Sequence, residues 1–231
     1  MLQYKDIPYT LSRSRRKTAS IYIERDGSIS VLVPEKLTDV QIGRIIEIKR
    51  PQIYKAIAEW DELNAKRYTR EYVNGEGFPY LGRSYRLKLV ERQKYPLVLR
   101  NGFFCLKSKS SPASSAKASA SFKAFYRKRG LIWIRRRVSH FSRQMGVAVN
   151  TVRVMDLRHR WASCSTNGSV NVNWRTMMAP PTIIDYIIVH ELAHLIHANH
   201  SSAFWNEVDK VLPDYRDRRE WLRRNGASLS L

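Results

Sequence analysis

His190-Glu191-Leu192-Ala193-His194, followed by His200, is the stretch on which the reading of this chain turns. On an α-helix, positions i and i+4 share one face, about 6 Å apart along the axis. Two imidazoles at that spacing can converge on one Zn2+ at about 2.0–2.1 Å each. Glu191 lies about 100° round the helix from His190, where a carboxylate can reach a metal-activated water without occupying the metal. His197 and His200 compete as the third ligand. On a continuing helix His197 would sit about 10.5 Å beyond His190, too far to share one ion. Ala198-Asn199 can end the helix, since Asn tolerates the left-handed backbone of helix C-termini, and His200 would then return to the metal from outside. Three protein ligands leave a fourth position for water, the mark of a catalytic rather than a structural zinc. His is 6 of 231 residues, and chance supplies roughly 0.007 matches to the five-residue pattern.

Working outward, Ile183 to Val189 is apolar enough to bury the motif helix, and Pro180-Pro181 suits its first turn. On the C-terminal side, Ser201 and Ser202 can cap a helix carrying Phe204, Val208 and Val211 on one face, ended by Pro213. A last helix, Tyr215 to Arg224, stops near Gly226. Upstream, Thr151 to Asp156 and Ser169 to Trp174 are expected to form a long-looped hairpin. The strand Ser169 to Trp174 is also a candidate to pair with an extended substrate. A basic amphipathic helix is expected from Phe122 to Met145, with Phe125, Ile132, Trp133, Val138 and Phe141 near one face.

Residues 1–106 read as a β-rich subdomain. Ser20 to Glu24 and Ser28 to Val33 flank Asp26-Gly27, a hairpin signal, and Asn101-Gly102 is a second one. Thr38 and Gln41 form a capping box. A helix through Ile42, Ile45 and Ile46 is expected to stop at Pro51, and a second to follow through Ile53, Ile57, Trp60 and Leu63. Tyr80 to Glu91, Pro96 to Arg100 and Phe103 to Leu106 read as strands. Residues 107–120, rich in Ser, Ala and Lys, read as a linker or exposed loop whose last residues can begin the next helix. The fold class expected is α+β: a β-rich part with a helical pair, then a mainly helical core over residues 121–231 with a small β-hairpin.

Composition bounds the function. The two cysteines, Cys105 and Cys164, exclude a disulfide framework and a cysteine zinc finger and suit a reducing compartment. Met1 to Asp6 lacks the apolar stretch of a secretory signal, and no run reaches the roughly 18 apolar residues of a membrane span, so the expected setting is cytoplasmic, with no membrane partner. The net charge of +21 points to an anionic partner, DNA or another polyanion. Basic residues cluster at Arg13 to Lys17, Arg127 to Arg137 and Arg216 to Arg224. Trp133 and Trp221 have apolar neighbours and are expected to face the core rather than stack on bases.

Several stretches together resemble a known family. They are Arg160-Trp161-Ala162-Ser163-Cys164, Val172-Asn173-Trp174, Ala179-Pro180-Pro181, Asp185-Tyr186 through His200, Phe204-Trp205, Leu212-Pro213-Asp214-Tyr215 and Trp221-Leu222. Nearer the N-terminus, Ser12 to Thr18 and Gly82-Arg83-Ser84-Tyr85 continue the likeness. The chain resembles the YgjP-like metallopeptidases along nearly its whole length. The resemblance implies a zincin-like core, akin to the SprT and WLM groups, with His190, His194 and His200 as metal ligands and Glu191 as the catalytic carboxylate. One departure is Ala162, where the family usually has Gly; a positive φ there would strain the loop. Cys164 is expected to be a small buried residue. Arg160, Tyr186 and Tyr215 are the candidates to stabilise an oxyanion.

The leading expectation is a zinc-dependent metallopeptidase that hydrolyses peptide bonds, with one Zn2+, Glu191 as general base and a protein or peptide substrate, which for this basic chain includes nucleic-acid-associated proteins. Two other readings remain open: a nucleic-acid-binding protein with a structural metal, and a metallohydrolase of a non-peptide amide or ester.

Overall fold

Alternation and capping build the first part of the chain. The computed structural model describes residues 2–23, 28–64, 70–108, 114–157 and 160–231, in two compact units, residues 1–68 and 69–231. In the first, β1 (Leu2–Tyr4), β2 (Ile7–Ser14), β3 (Ser20–Ile23) and β4 (Ile29–Pro34) form a sheet of order β1-β2-β4-β3, with β2 and β4 parallel. Ile29, Val31 and Val33 point inward at period two and meet Ile42, Ile46 and Ile53 of α1 (Asp39–Asn64). The capping box is made: the Thr38 N–H donates to Gln41 Oε1 at 3.0 Å and the Gln41 N–H to Thr38 Oγ1 at 3.3 Å. β3 and β4 pair antiparallel as expected, while Asp26-Gly27 lies outside the described residues.

The expected helical pair is one helix. Pro51 sits inside α1 on its exposed side. The missing N–H and ring clash cost about 3 kcal/mol, but Ile42, Ile46 and Ile53 bury against the same sheet, and that shared face holds the two halves in line.

The second unit is organised by α2 (Ser115–Gln144). β5 (Gly77–Tyr80), β6 (Arg83–Val90), β7 (Leu97–Arg100) and β8 (Phe103–Lys107) form a sheet of order β5-β6-β8-β7. Phe122 of α2 stacks on Phe78 with centroids 4.2 Å apart, and Phe125 meets Phe104 edge-on at 5.2 Å. Tyr126 donates its hydroxyl to the Pro79 carbonyl at 2.7 Å. Farther along α2, Gly130, Ile134, Val138 and Phe141 are buried; Gly130 lies against Met177 and Val154. One continuous core therefore joins β5–β8 to everything downstream. This differs from the expected division at 107–120, because α2, which begins inside that stretch, packs on strands on both sides of it. Ile132, expected on the apolar face, is 50% exposed.

Two further expectations change. Tyr80 to Glu91 is not one strand: β5 and β6 are joined by Leu81-Gly82, both at positive φ (49° and 76°). Leu is not a residue that marks such a turn. And β9 (Thr151–Met155) runs parallel, not antiparallel, to β11 (Ser169–Asn173). The hairpin is made instead by β10 (Ala162–Cys164) with β11, giving the order β10-β11-β9. β11 has both edges paired, so the expected substrate pairing on it is excluded; β10 and β9 are the edges. Ala162 has no positive φ, and its methyl is buried at no backbone cost.

A 3-10 helix, Trp174–Met178, leads to α3 (Pro181–Ala193), followed by α4 (Ser202–Val211) and α5 (Tyr215–Asn225). Pro180 caps α3 and Pro181 opens it. Trp133 and Trp221 pack against the core as expected. Among the described residues no helix is long and apolar enough to cross a membrane.

Candidate metal centre

α3 is buried nearly all round, and its two acids meet different fates. Asp185 and Glu191 are the buried carboxylates among the described residues. Asp185 receives a two-pronged clamp from Arg137 of α2, Nε and Nη2 each at 2.7 Å, which fixes the rotation of α3 against α2. Glu191 has no such partner. It accepts the Cys164 backbone N–H of β10 and feels Arg160 at longer range. Burial outweighs both and pushes its carboxyl up to about 7, where an acid exchanges protons readily near neutrality.

The helix ends sooner than Ala198-Asn199. Ala193 is its last residue and His194 its cap; the His197 N–H donates to the Ala193 carbonyl at 2.9 Å. That tight turn brings the His197 carbonyl to 3.3 Å from His194 Nδ1. A carbonyl only accepts, so Nδ1 carries the proton and Nε2 presents a lone pair. His197 thus touches the site through its backbone. The chain then doubles back, and Ser201 caps α4 by accepting the Phe204 N–H at 3.4 Å, which leaves His200 between the two helices.

The three imidazoles predicted from the sequence come together. His190, His194 and His200 each offer a ring nitrogen within 4.8 Å of the others, and His190 Nε2 lies 3.0 Å from His200 Nε2. Ligands at about 2.0–2.1 Å in a tetrahedron stand about 3.3 Å apart, so the set fits one small cation. Burial, then the neighbouring imidazoles, pull His190 down to about 3. Burial, then His194 and Arg219, lower His200. Both are therefore neutral near pH 7, the form that binds a metal. A cluster of three imidazoles with converging ring nitrogens is a donor set for a borderline-soft dication such as Zn2+.

Aromatic rings floor the cluster. The Phe204 centroid is 5.0, 4.7 and 4.7 Å from the rings of His190, His194 and His200. Trp205 stacks on His200 at 5.7 Å and on Tyr215 at 5.2 Å. Of the three oxyanion candidates, Tyr186 lies beside His190 at 5.9 Å, with its phenol pushed up to about 12, chiefly by burial. Arg160 faces Glu191, and Tyr215 supports Trp205. Cys164 is half-buried beside Glu191, its thiol raised to about 11 by burial and by that carboxylate, so it is nearer the site than its sequence position indicates.

With this geometry in view, comparison with known families is decisive. The family described as YgjP-like, metallopeptidase domain, matches residues 17–225. The chain belongs to the YgjP-like metallopeptidase family. A solved structure, the metallopeptidase zymogen abylysin of Pyrococcus abyssi, is similar at 28% identity over 38% of this chain and 89% of its own, with a TM-score of 0.36. Comparison with curated proteins found no match. This YgjP-like chain is thus a metal-dependent hydrolase by family, with a triple-histidine cluster.

Sequence reasoning missed three contributors. Asn173, 1% exposed, donates to the carbonyls of Leu157 at 2.6 Å and Arg160 at 3.0 Å, while its Oδ1 accepts the Arg175 N–H at 3.1 Å. It therefore ties β11 to the segment that presents Arg160. Trp205 has no signal in the sequence beyond its place next to Phe204. Arg219, whose charge reaches His190, His200 and Tyr186, had no signal beyond a basic run.

Proposed function

We propose that this protein is a zinc-dependent peptidase in which His190, His194 and His200 hold the ion and Glu191 is the general base. The observation that carries the reading is a buried carboxylate with no ion pair among the described residues, next in sequence to the first of three converging imidazoles; a structural metal site has no use for such a group. When bound, a zinc ion supplies an acidified water and polarisation of the scissile carbonyl. The rest falls to the chain. Glu191 takes the proton at its free carboxylate oxygen while the Cys164 N–H holds the carboxylate in place, then delivers the proton to the leaving amine. The His197 carbonyl keeps His194 in the tautomer that donates through Nε2. β10, an edge strand adjoining Glu191 through Cys164, is the place for an extended substrate to pair.

The test is metal content and proteolysis of an unfolded protein, for wild type and Glu191→Gln. One zinc per chain with cleavage by wild type alone supports the reading. Zinc bound with equal turnover in both proteins removes Glu191 as base.

The net charge of +21 supports a second component, action on proteins bound to DNA or another polyanion in the cytoplasm. Repeating the assay with DNA over a salt series tests it. Affinity should fall steeply with salt as counterions are released, and a salt-independent affinity counts against phosphate contacts.

A further inference from the structure

The wall of the metal centre continues into a second cavity, of about 600 Å3, lined by Trp205, Tyr215, Arg216, Arg219, Glu220 and Arg223. Trp205 is the shared partition, with one face toward His200 and its ring stacked on Tyr215. Arg219 places its guanidinium 5.1 Å from the Trp205 centroid.

The arginines here differ in what they already bind. Glu220 is held by Arg223 at 2.9 Å and Arg224 at 2.6 Å. Arg216 leans toward Asp209 at 3.7 Å. Arg219 has no carboxylate within ion-pairing distance among the described residues; its neighbour is the indole face. A guanidinium stacked on an aromatic ring keeps its N–H fork directed outward in its own plane, the geometry that takes a carboxylate with two parallel hydrogen bonds. Trp205 alone separates it from His200, with centroids 5.7 Å apart on one side and the guanidinium 5.1 Å away on the other, so its positive charge stands close to a dication held by the imidazoles. An anion lying between the two would reconcile them.

We propose that Arg219 and the cavity behind Trp205 bind a carboxylate of the peptide substrate, and so select substrates that carry one close to the bond being cut. The inference rests on the peptidase reading for the identity of the ligand as a peptide. A carboxylate there comes from a free C-terminus or from an Asp or Glu side chain, and both present the same two oxygens to the fork.

The experiment uses full-length, zinc-loaded Glu191→Gln, so that peptides bind without turnover, with affinity read by calorimetry at fixed salt. Three peptides of one sequence are compared: free acid with Glu, amide with Glu, and amide with Gln. A carboxylate-bearing peptide should bind about tenfold or more tighter than the neutral isostere, the order of one charge-assisted hydrogen bond. The first pair of peptides identifies a terminal carboxylate and the second a side-chain one. Arg219→Gln added to this background should bring the ratio to about one, and Arg219→Lys should restore part of it, since charge remains without the fork. Arg219 is exposed on α5, and the isostere ratio with Arg219 present is decisive without any variant at that position. A ratio near one, or a ratio that survives Arg219→Gln, overturns the proposal. So does loss of oligonucleotide affinity on Arg219→Gln with a peptide ratio near one, which assigns the cavity to phosphate. Wild-type cleavage is measured separately. A preserved ratio without hydrolysis unseats the peptidase reading and leaves the carboxylate site, whereas hydrolysis without a ratio does the reverse.

Discussion

Gly82→Ala should destabilise the protein more than Gly102→Ala, although the two glycines share a backbone conformation. Both are second residues of two-residue hairpin turns, at φ 76° and 78°. A Cβ in that region costs about 1–2 kcal/mol. At Gly102 nothing lies within 4 Å of the added atom, so the cost ends there. At Gly82 the added carbon meets Pro180 Cα at 2.9 Å and its Cβ and Cγ at 3.2 Å. A pyrrolidine ring cannot rotate aside, and the Leu81 N–H fastens the same turn to the Met177 carbonyl at 2.8 Å. The β5–β6 turn is thus wedged against the first turn of α3, and overpacking there adds about 1–3 kcal/mol. The total is about 2–5 kcal/mol for Gly82→Ala against about 1–2 for Gly102→Ala. In a unit of this size 1 kcal/mol moves Tm by about 2–4 °C. Thermal and urea unfolding of both variants measure the difference. Equal losses would refute the argument, because they would mean that the turn does not press on α3 at all.

Other residues make equally specific demands. Asn173→Ala should cost about 2–3 kcal/mol by leaving the Leu157 and Arg160 carbonyls without their donor, and it should lower kcat more than zinc affinity; urea unfolding and zinc titration distinguish the two effects. Arg137→Met strands a buried Asp185; with the Arg side chain 33% and the Asp 12% exposed, the cost in urea unfolding should be about 2–3 kcal/mol, and Arg137→Met with Asp185→Leu should recover most of it. His200→Ala should weaken zinc binding sharply in a competitive chelator titration while His197→Ala changes it little, because His197 acts through its carbonyl; the opposite order would reassign the third ligand.

What the sequence made legible was whatever local chemistry alone determines. Thr38 and Gln41 cap each other wherever α1 goes, Asn101-Gly102 turns because of its own φ preferences, and Pro180-Pro181 suits the start of a helix and not its interior. The convergence of His200 with His190 and His194 was likewise a matter of spacing plus one chain reversal. The rest depended on partners distant in sequence. Pro51 fails to break α1 because one sheet receives both halves of the helix. Leu81 holds a positive φ because Met177 and Pro180 pin the turn. Whether β9 lies parallel or antiparallel to β11 depends on α2 and the segment between the strands, and alternation cannot reveal it. Arg219 acquires significance only when α5 folds back over Trp205.

The two acids of α3 carry the same lesson into energetics. Asp185 is offset by a guanidinium in direct contact; Glu191 receives one backbone N–H and only the longer-range field of Arg160, and burial outweighs both. A buried, poorly compensated carboxylate is a cost to folding, and sites that perform chemistry commonly retain such costs. Glu191→Gln keeps an oxygen for the Cys164 N–H and removes the charge. In protein freed of metal by a chelator, that variant should therefore be more stable than wild type at neutral pH, by about 1–3 kcal/mol in urea unfolding, even as hydrolysis is lost. If Glu191→Gln instead weakens the metal-free fold, Glu191 is a structural acid whose partner has been misjudged, and the argument for it as the base loses its energetic support. If it stabilises, the loss of activity cannot be blamed on unfolding, and the carboxylate is retained for the reaction rather than for the fold.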